Sequence, residues 1–315
     1  MSKVRSAFKK IPIVVWFILL LVILFSCITD QYLTMRNLLI LLQQGSVLLV
    51  VSAAATFVII SGGLDLSLGG ILTLSGVTVA VALNAGFAIP VAILLGALTG
   101  FACGAVNGFL ISYCGLQPFI VTLGTQGVFY GFALVATDKV GIPISNEAFI
   151  FLGSLINKAI PMAAICCLVI FIFAIVVQDH TRLGRYLFAI GGNVEGARLS
   201  GINTRFWRWV VFAFAGFLTG LGACVLVARL EVADPLVGQK WEFEAIAATI
   251  LGGTSLNIGK GDVKGTVVGV ALLTVIRSGL NVIRIPSLWQ PAIIGAVIIL
   301  AIVFQVSITS KEIKK

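Results

Sequence analysis

Asp65 is the only acid between Asp30 and Asp138. It lies in Ser61-Gly62-Gly63-Leu64-Asp65-Leu66-Ser67-Leu68-Gly69-Gly70, where two glycine pairs interrupt an otherwise apolar run. A lone carboxyl in such a setting can take up a proton or a cation, and an acid at membrane depth is a functional candidate by default. Glycine-broken helices of this kind form substrate or gating sites in transporters. The same residues also suit a turn at the membrane edge with Asp65 as a helix cap, and both readings stay open. Gln126 and Tyr130 stand four residues apart on a second apolar stretch and can present hydrogen-bonding groups to a hydroxylated substrate. Asn107, Arg277 and Asn281 are further polar residues inside apolar runs. Hydrogen bonding between helices is the plainer role for each such amide, and Arg277 suits snorkelling toward an outer interface.

Other chemistries are poorly supported. The chain has one histidine, His180, and six cysteines (27, 103, 114, 166, 167 and 224), none at metal-ligand spacing. The cysteines read as small buried hydrophobes. Gly259-Lys260 imitates the end of a phosphate-binding loop, but Thr254 stands where its first glycine belongs and Gly261 where its Ser/Thr belongs. No nucleotide, metal or cofactor site is expected, so any ATP chemistry falls to a partner. A membrane enzyme would need His, Asp or Glu clustered near one face, and the acids are scattered.

The elements that position these residues follow from composition. Of the 315 residues 59% are hydrophobic and only 10% charged, with a mean hydropathy of +1.14; a soluble domain carries about 25% charged residues. The whole chain, 1–315, reads as one transmembrane domain with an all-α fold, a polytopic helix bundle. About ten crossings fit: 11–29, 38–60, 66–83, 87–113, 118–136, 160–177, 209–228, a short polar-flecked segment near 243–256, 263–283 and 288–308. The first is read as an uncleaved span, because its apolar run is too long for a signal core and no A-x-A site follows. Gly100, Gly104 and Gly108 lie four apart on one face of the fourth span, the pattern of close helix packing. With both termini on the inner side, 14 of the 21 Lys and Arg residues fall inside, six outside, and Arg277 within a span. That bias orients the chain, and it argues against reading the net charge of +9 as nucleic-acid binding.

Between two of these spans lies a polar island, 178–208, which this orientation makes cytoplasmic. Within it Asn193 suits an N-cap, Glu195 the first turn, Arg198 a partner for Glu195, Gly201 the left-handed C′ position and Ile202 its apolar contact. About two turns of helix over Val194–Ser200 are expected. So short a helix is marginal in water and needs docking partners. A second pattern is a faint echo of 60–69 in 250–259 at an offset of 190, with five of ten positions matching, which hints at an internal repeat.

Phe57–Gly69 (FVIISGGLDLSLG), Ala189–Ile202 (AIGGNVEGARLSGI), Glu244–Leu256 (EAIAATILGGTSL) and Ser278-Gly279-Leu280-Asn281 with Trp289-Gln290 together resemble the permease subunits of bacterial ABC importers for monosaccharides, the ribose/xylose/galactose/autoinducer permease family. The resemblance covers about 35–308. It implies a fold similar to the cobalamin-importer permease and a multi-pass subunit of the bacterial cytoplasmic membrane. It further implies a second permease copy or relative, two cytoplasmic ABC ATPases, and an outer binding protein that delivers the sugar. It makes the helix of the island a coupling helix, with Gly191, Gly192, Asn193, Glu195, Ala197, Arg198, Leu199 and Gly201 at the ATPase contact. In that fold the fifth span lines the pathway at the subunit interface, which raises Gln126 and Tyr130 as translocation-pathway candidates; the family reading leaves the role of Asp65 open, and Asp65, Asn107 and Asn281 join the candidates as polar residues within the spans. Where the family usually has Glu-Ala-Ala-Arg this chain has Glu195-Gly196-Ala197-Arg198, and glycine costs a helix up to about 1 kcal/mol relative to alanine. The alternative is a stand-alone secondary transporter that uses Asp65 as its ion-coupling site.

Overall fold

The computed structural model describes residues 13–156, 159–256 and 259–300. The helices are α1 (Ile13–Ile28), α2 (Met35–Ile60), α3 (Leu68–Asn84), α4 (Ile89–Ser112), α5 (Pro118–Thr137), α6 (Glu147–Ile150), α7 (Met162–His180), α8 (Arg182–Gly192), α9 (Val194–Leu199), α10 (Thr204–Leu230), α11 (Trp241–Leu251) and α12 (Val263–Val282). A thirteenth, α13, is described over Gln290–Leu300. Among the described residues six helices are long and apolar enough to cross a membrane: α2, α4, α5, α7, α10 and α12. Three more apolar helices are shorter, Val14–Ile28, Leu68–Asn84 and Gln290–Leu300. The protein is a multi-pass membrane protein. Over its described residues each apolar run expected from sequence became a helix, because backbone groups in lipid must pair within their own segment; residues 11–12 of the first expected run and 301–308 of the last lie outside the described residues. The expected crossing near 243–256 became the 11-residue α11, about 16 Å long, half of a hydrocarbon core of roughly 30 Å.

Helix α10 forms the centre, and its long buried face packs on α4, α2 and α3. The α4–α10 seam runs on small residues from both helices. A Cβ on Gly100 would meet Gly216 and Gly220, and one on Gly104 would meet the Phe212 carbonyl and Gly216. One on Gly108 would stand 2.8 Å from the Trp209 carbonyl. The glycine face legible on α4 is therefore half of a two-sided seam, the other half being Gly216 and Gly220. Helices α11 and α12 form a second group with α2 and α1. Its centre carries three facing hydroxyls: Thr56 lies 3.2 Å from Thr249 and 2.8 Å from Thr266. At one end of the bundle two short antiparallel pairings, β1 (Ile142–Pro143) with β4 (Val232–Ala233) and β2 (Leu155–Ile156) with β3 (Ile160–Pro161), frame the fully buried Phe149. The opposite end carries α8 and α9.

Candidate functional site

At that opposite end, α9 forms as the residue types dictate. Asn193 caps it, its side-chain oxygen accepting from the Gly196 N–H at 2.9 Å. A Cβ at position 196 would stand 3.2 Å from Asn193 Cγ, so glycine there leaves the cap room to close. Arg198 pairs with Glu195 at 2.7 Å, both side chains mostly exposed. Gly201, at φ +82°, ends the helix, and the Ile202 N–H donates to the Ala197 carbonyl at 3.1 Å. Ala197 points inward, while Val194 and Leu199 are exposed, Leu199 at 80%.

What sequence reasoning missed is α8, the helix that carries α9. Leu183, Gly184, Leu187 and Ile190 form its buried stripe at three- and four-residue spacing, with Arg182 and Arg185 outward. Read as a loop, the segment hides this period behind its arginines. Tyr186 packs edge-on against Trp207 at 4.9 Å, which ties α8 to the start of α10. Its last turn is jammed: a Cβ on Gly191 would run into the Ile60 carbonyl and the Gly259 Cα. Gly191 thus touches both segments of the faint sequence echo. Those segments share a backbone motif. In one, the N–H groups of Ser61, Gly62 and Gly63 donate to Phe57, Ile59 and Val58; in the other, those of Gly252, Gly253 and Thr254 donate to Ala248, Ile250 and Thr249. Gly62 (φ +79°) and Gly253 (φ +94°) take the same left-handed position. The structural offset is therefore 191, one residue from the offset of 190 in the sequence echo.

The five translocation-pathway candidates fall into three places. Asp65 and Asn107 come together. Asp65 is 2% exposed, and its Oδ1 accepts from Ser67 N at 2.8 Å and Ser67 Oγ at 2.6 Å, while Asn107 Nδ2 donates to the same Oγ at 2.7 Å. This is a side-chain turn just ahead of α3: the N-cap position is Ser67, and Asp65 holds that residue rather than capping the helix itself. Asn281 lies at the far end of α12, exposed, accepting from Gln290 Nε2 at 2.8 Å. Gln126 and Tyr130 line an open cleft of about 350 Å³ with Leu123, Gly127, Gln239, Lys240 and Glu242. Gln126 Nε2 donates to Glu242 Oε1 at 2.6 Å.

Glu242 and its neighbour Glu244 are the functional candidates that sequence reasoning passed over. They open α11, but the expected crossing began at Phe243 and left Glu242 in the preceding loop. The legible signal was two acids in an otherwise apolar segment. Glu244 is paired with Arg277 across α11 and α12, so Arg277 does not snorkel. Its pairing with a half-buried carboxylate keeps it within the bundle. Among the described residues no group of three or more His, Cys, Asp or Glu side chains could hold a metal ion.

Residues 37–302 match the family described as branched-chain amino acid transport system / permease component. The chain is 38% identical to the ribose import permease protein of Bacillus subtilis strain 168, over 90% of this chain and 88% of that protein. It is 37% identical to the D-allose transport system permease protein of Escherichia coli K12, over 91% and 89% of the two chains. It is 32% identical to the autoinducer 2 import system permease protein of Photorhabdus luminescens, over 89% and 85%. No solved structure matches it.

Proposed function

The chain belongs to the family of transport-system permease components, and from that premise we propose that it is the membrane subunit of an ATP-driven importer of a monosaccharide or similar small polyol. The family description speaks of amino acids, but the relatives that align along nine-tenths of the chain are named for ribose, D-allose and autoinducer 2. The subunit itself hydrolyses nothing. A second permease subunit completes the pathway, two cytoplasmic ABC ATPases drive it, and a binding protein delivers the sugar at the outer face. About ten crossings, arranged as in the cobalamin-importer permease, place both termini and the 178–208 island in the cytoplasm of a bacterial inner membrane. The shorter apolar helices and the half-length α11 make up the crossings beyond the six long helices.

The observation that carries this reading is the exposed, doubly capped α9 on a helix whose last turn is wedged against both broken segments. In the proposed mechanism α9 is the coupling helix. Val194 and Leu199 offer apolar anchors to a groove of the ATPase, and Glu195 and Arg198 its polar rim. Gly191, at the end of α8, packs on the Ile60 carbonyl and Gly259 Cα, so a push on α9 reaches Ile60 and Gly259, one in each broken segment, through contacts with no room to yield. ATP-driven closure of the ATPases opens the pathway outward, and hydrolysis resets it. Reconstitution with the ATPase and binding protein tests the reading: tritiated D-ribose or D-allose should enter vesicles only with ATP. Uptake driven by an ion gradient without ATP would contradict it.

A further inference from the structure

We propose that Glu242, held by Gln126 and flanked by Tyr130, is a substrate-contacting subsite that accepts hydrogen bonds from the hydroxyls of a polyol as it crosses the bundle; this rests on the importer reading above. Three observations converge on it.

The first is where α11 begins. Past β4 the chain turns inward, and Gly238 lies against Gly69, with its N–H donating to Thr73 Oγ1 at 3.1 Å. Gln126, the contact of Glu242, is the ninth residue of the 20-residue α5, about 12 Å from its start. The start of α11 therefore lies near mid-depth rather than at a surface. Half-helices that begin inside a bundle are where transporters hold their cargo.

The second is an unspent carboxylate. Glu242 is 2% exposed. One oxygen accepts from Gln126, while Oε2 has no hydrogen-bond partner among the described residues. A buried acceptor left unpaired costs free energy; Asp65 Oδ2 is unpaired in the same way, but of the two acids it is Glu242 that lines the cleft. By contrast Glu244, two residues on, is already paired with Arg277.

The third is space. Any side chain at position 69 would collide with Glu242 Oε2 and the Gly238 carbonyl, and would come within 2.8 Å of the Tyr130 hydroxyl. Glycine at 69 lets Glu242 Oε2, the Gly238 carbonyl and the Tyr130 hydroxyl pack closely together, so this polar corner is filled by the protein's own groups. Glu242, Gln126 and Tyr130 also line the cleft of about 350 Å³, large enough for a pentose or hexose. Gly127 lines the cleft on the α5 side, and nothing stands within 4 Å of where its Cβ would be. A carboxylate acceptor, an amide and a phenol around one wall are donors and acceptors matched to sugar hydroxyls. A site built to bond a hydroxyl rejects an analogue that lacks it.

The test uses the assembled transporter with its ATPase and binding protein in vesicles, and a panel of tritiated aldopentoses and aldohexoses that includes D-ribose and D-allose. For whichever sugar is carried, monodeoxy analogues are compared. The wild type should discriminate against at least one of them at least tenfold in kcat/KM. Glu242→Gln should lower uptake of the parent sugar at least tenfold and reduce that discrimination below twofold. Tyr130→Phe, which removes one oxygen and leaves the ring, should lower affinity three- to tenfold. Both variants should still co-purify with the ATPase. Uptake and discrimination unchanged in Glu242→Gln, in a transporter that remains ATP-driven, would overturn the subsite and leave the importer reading standing. Failure of the wild type to carry any sugar of the panel would overturn the importer reading and the subsite with it.

Discussion

At the scale of single residues, the polar side chains of the bundle separate by how far along the chain their partners lie. The Asp65 network is local. Asparagine at position 65 still offers an oxygen to Ser67 N and Oγ. Asp65→Asn is therefore expected to leave ATP-dependent uptake within twofold of wild type, measured in vesicles, whereas an ion-coupling role would make the same change abolish transport. The Glu244–Arg277 pair differs because each partner neutralises the other. Breaking a fully buried pair costs roughly 3–5 kcal/mol. With side chains 19% and 29% exposed, the cost here should fall to about 2 kcal/mol. Arg277→Met should lower the melting temperature in detergent, and adding Glu244→Gln should recover part of the loss. A double variant no more stable than Arg277→Met would show the pair to be uncoupled. The sequence made Asp65 conspicuous because it is alone in a long acid-free stretch. It left Glu242 inconspicuous because neither chain position nor hydropathy reveals that its neighbour across the cleft is Gln126, 116 residues away.

At the scale of elements, local rules were enough wherever the signal was local. The caps, ion pair and C-terminal glycine of α9 were legible residue by residue. The fourth span was legible both as a helix and as a glycine face. Helix α8 escaped because a short amphipathic helix lying against a membrane domain lacks the long apolar run that marks a span. Its partner surface is built by α2, α7 and α10. The seam between α4 and α10 yields a sharp prediction. Gly104→Val places a branched side chain where the Phe212 carbonyl and Gly216 already stand. Overpacking of this kind costs typically 1–3 kcal/mol, and the variant should melt below wild type. Gly124→Val, on the open face of α5, should melt within error of wild type as an isolated subunit. Equal loss in both would mean that α5 is covered within one chain.

At the scale of the molecule, the chain is an asymmetric bundle: buried α10 at its centre, a sparsely covered α5 at one side, and an inward-starting half-helix beside the cleft that α5 lines. The proposed topology is checked by cysteine labelling in intact cells, on a background lacking native cysteines. A cysteine replacing Ser145, at the end that carries the strand pairs, should react with a membrane-impermeant maleimide, and one replacing Ser200 should not. Reactivity at Ser200 alone would invert the orientation. The central claim is that this membrane domain is driven through α9 by a separate nucleotide-binding subunit. The most direct measurement is purification of the tagged protein in mild detergent, with and without Glu195→Lys. An ATPase subunit should co-purify with the wild type and fall at least fivefold in the variant, with the bundle's melting temperature unchanged. The same ATPase recovered equally with both proteins would contradict α9 as the docking element. A protein that purifies alone and transports sugar into vesicles without ATP would contradict the account as a whole.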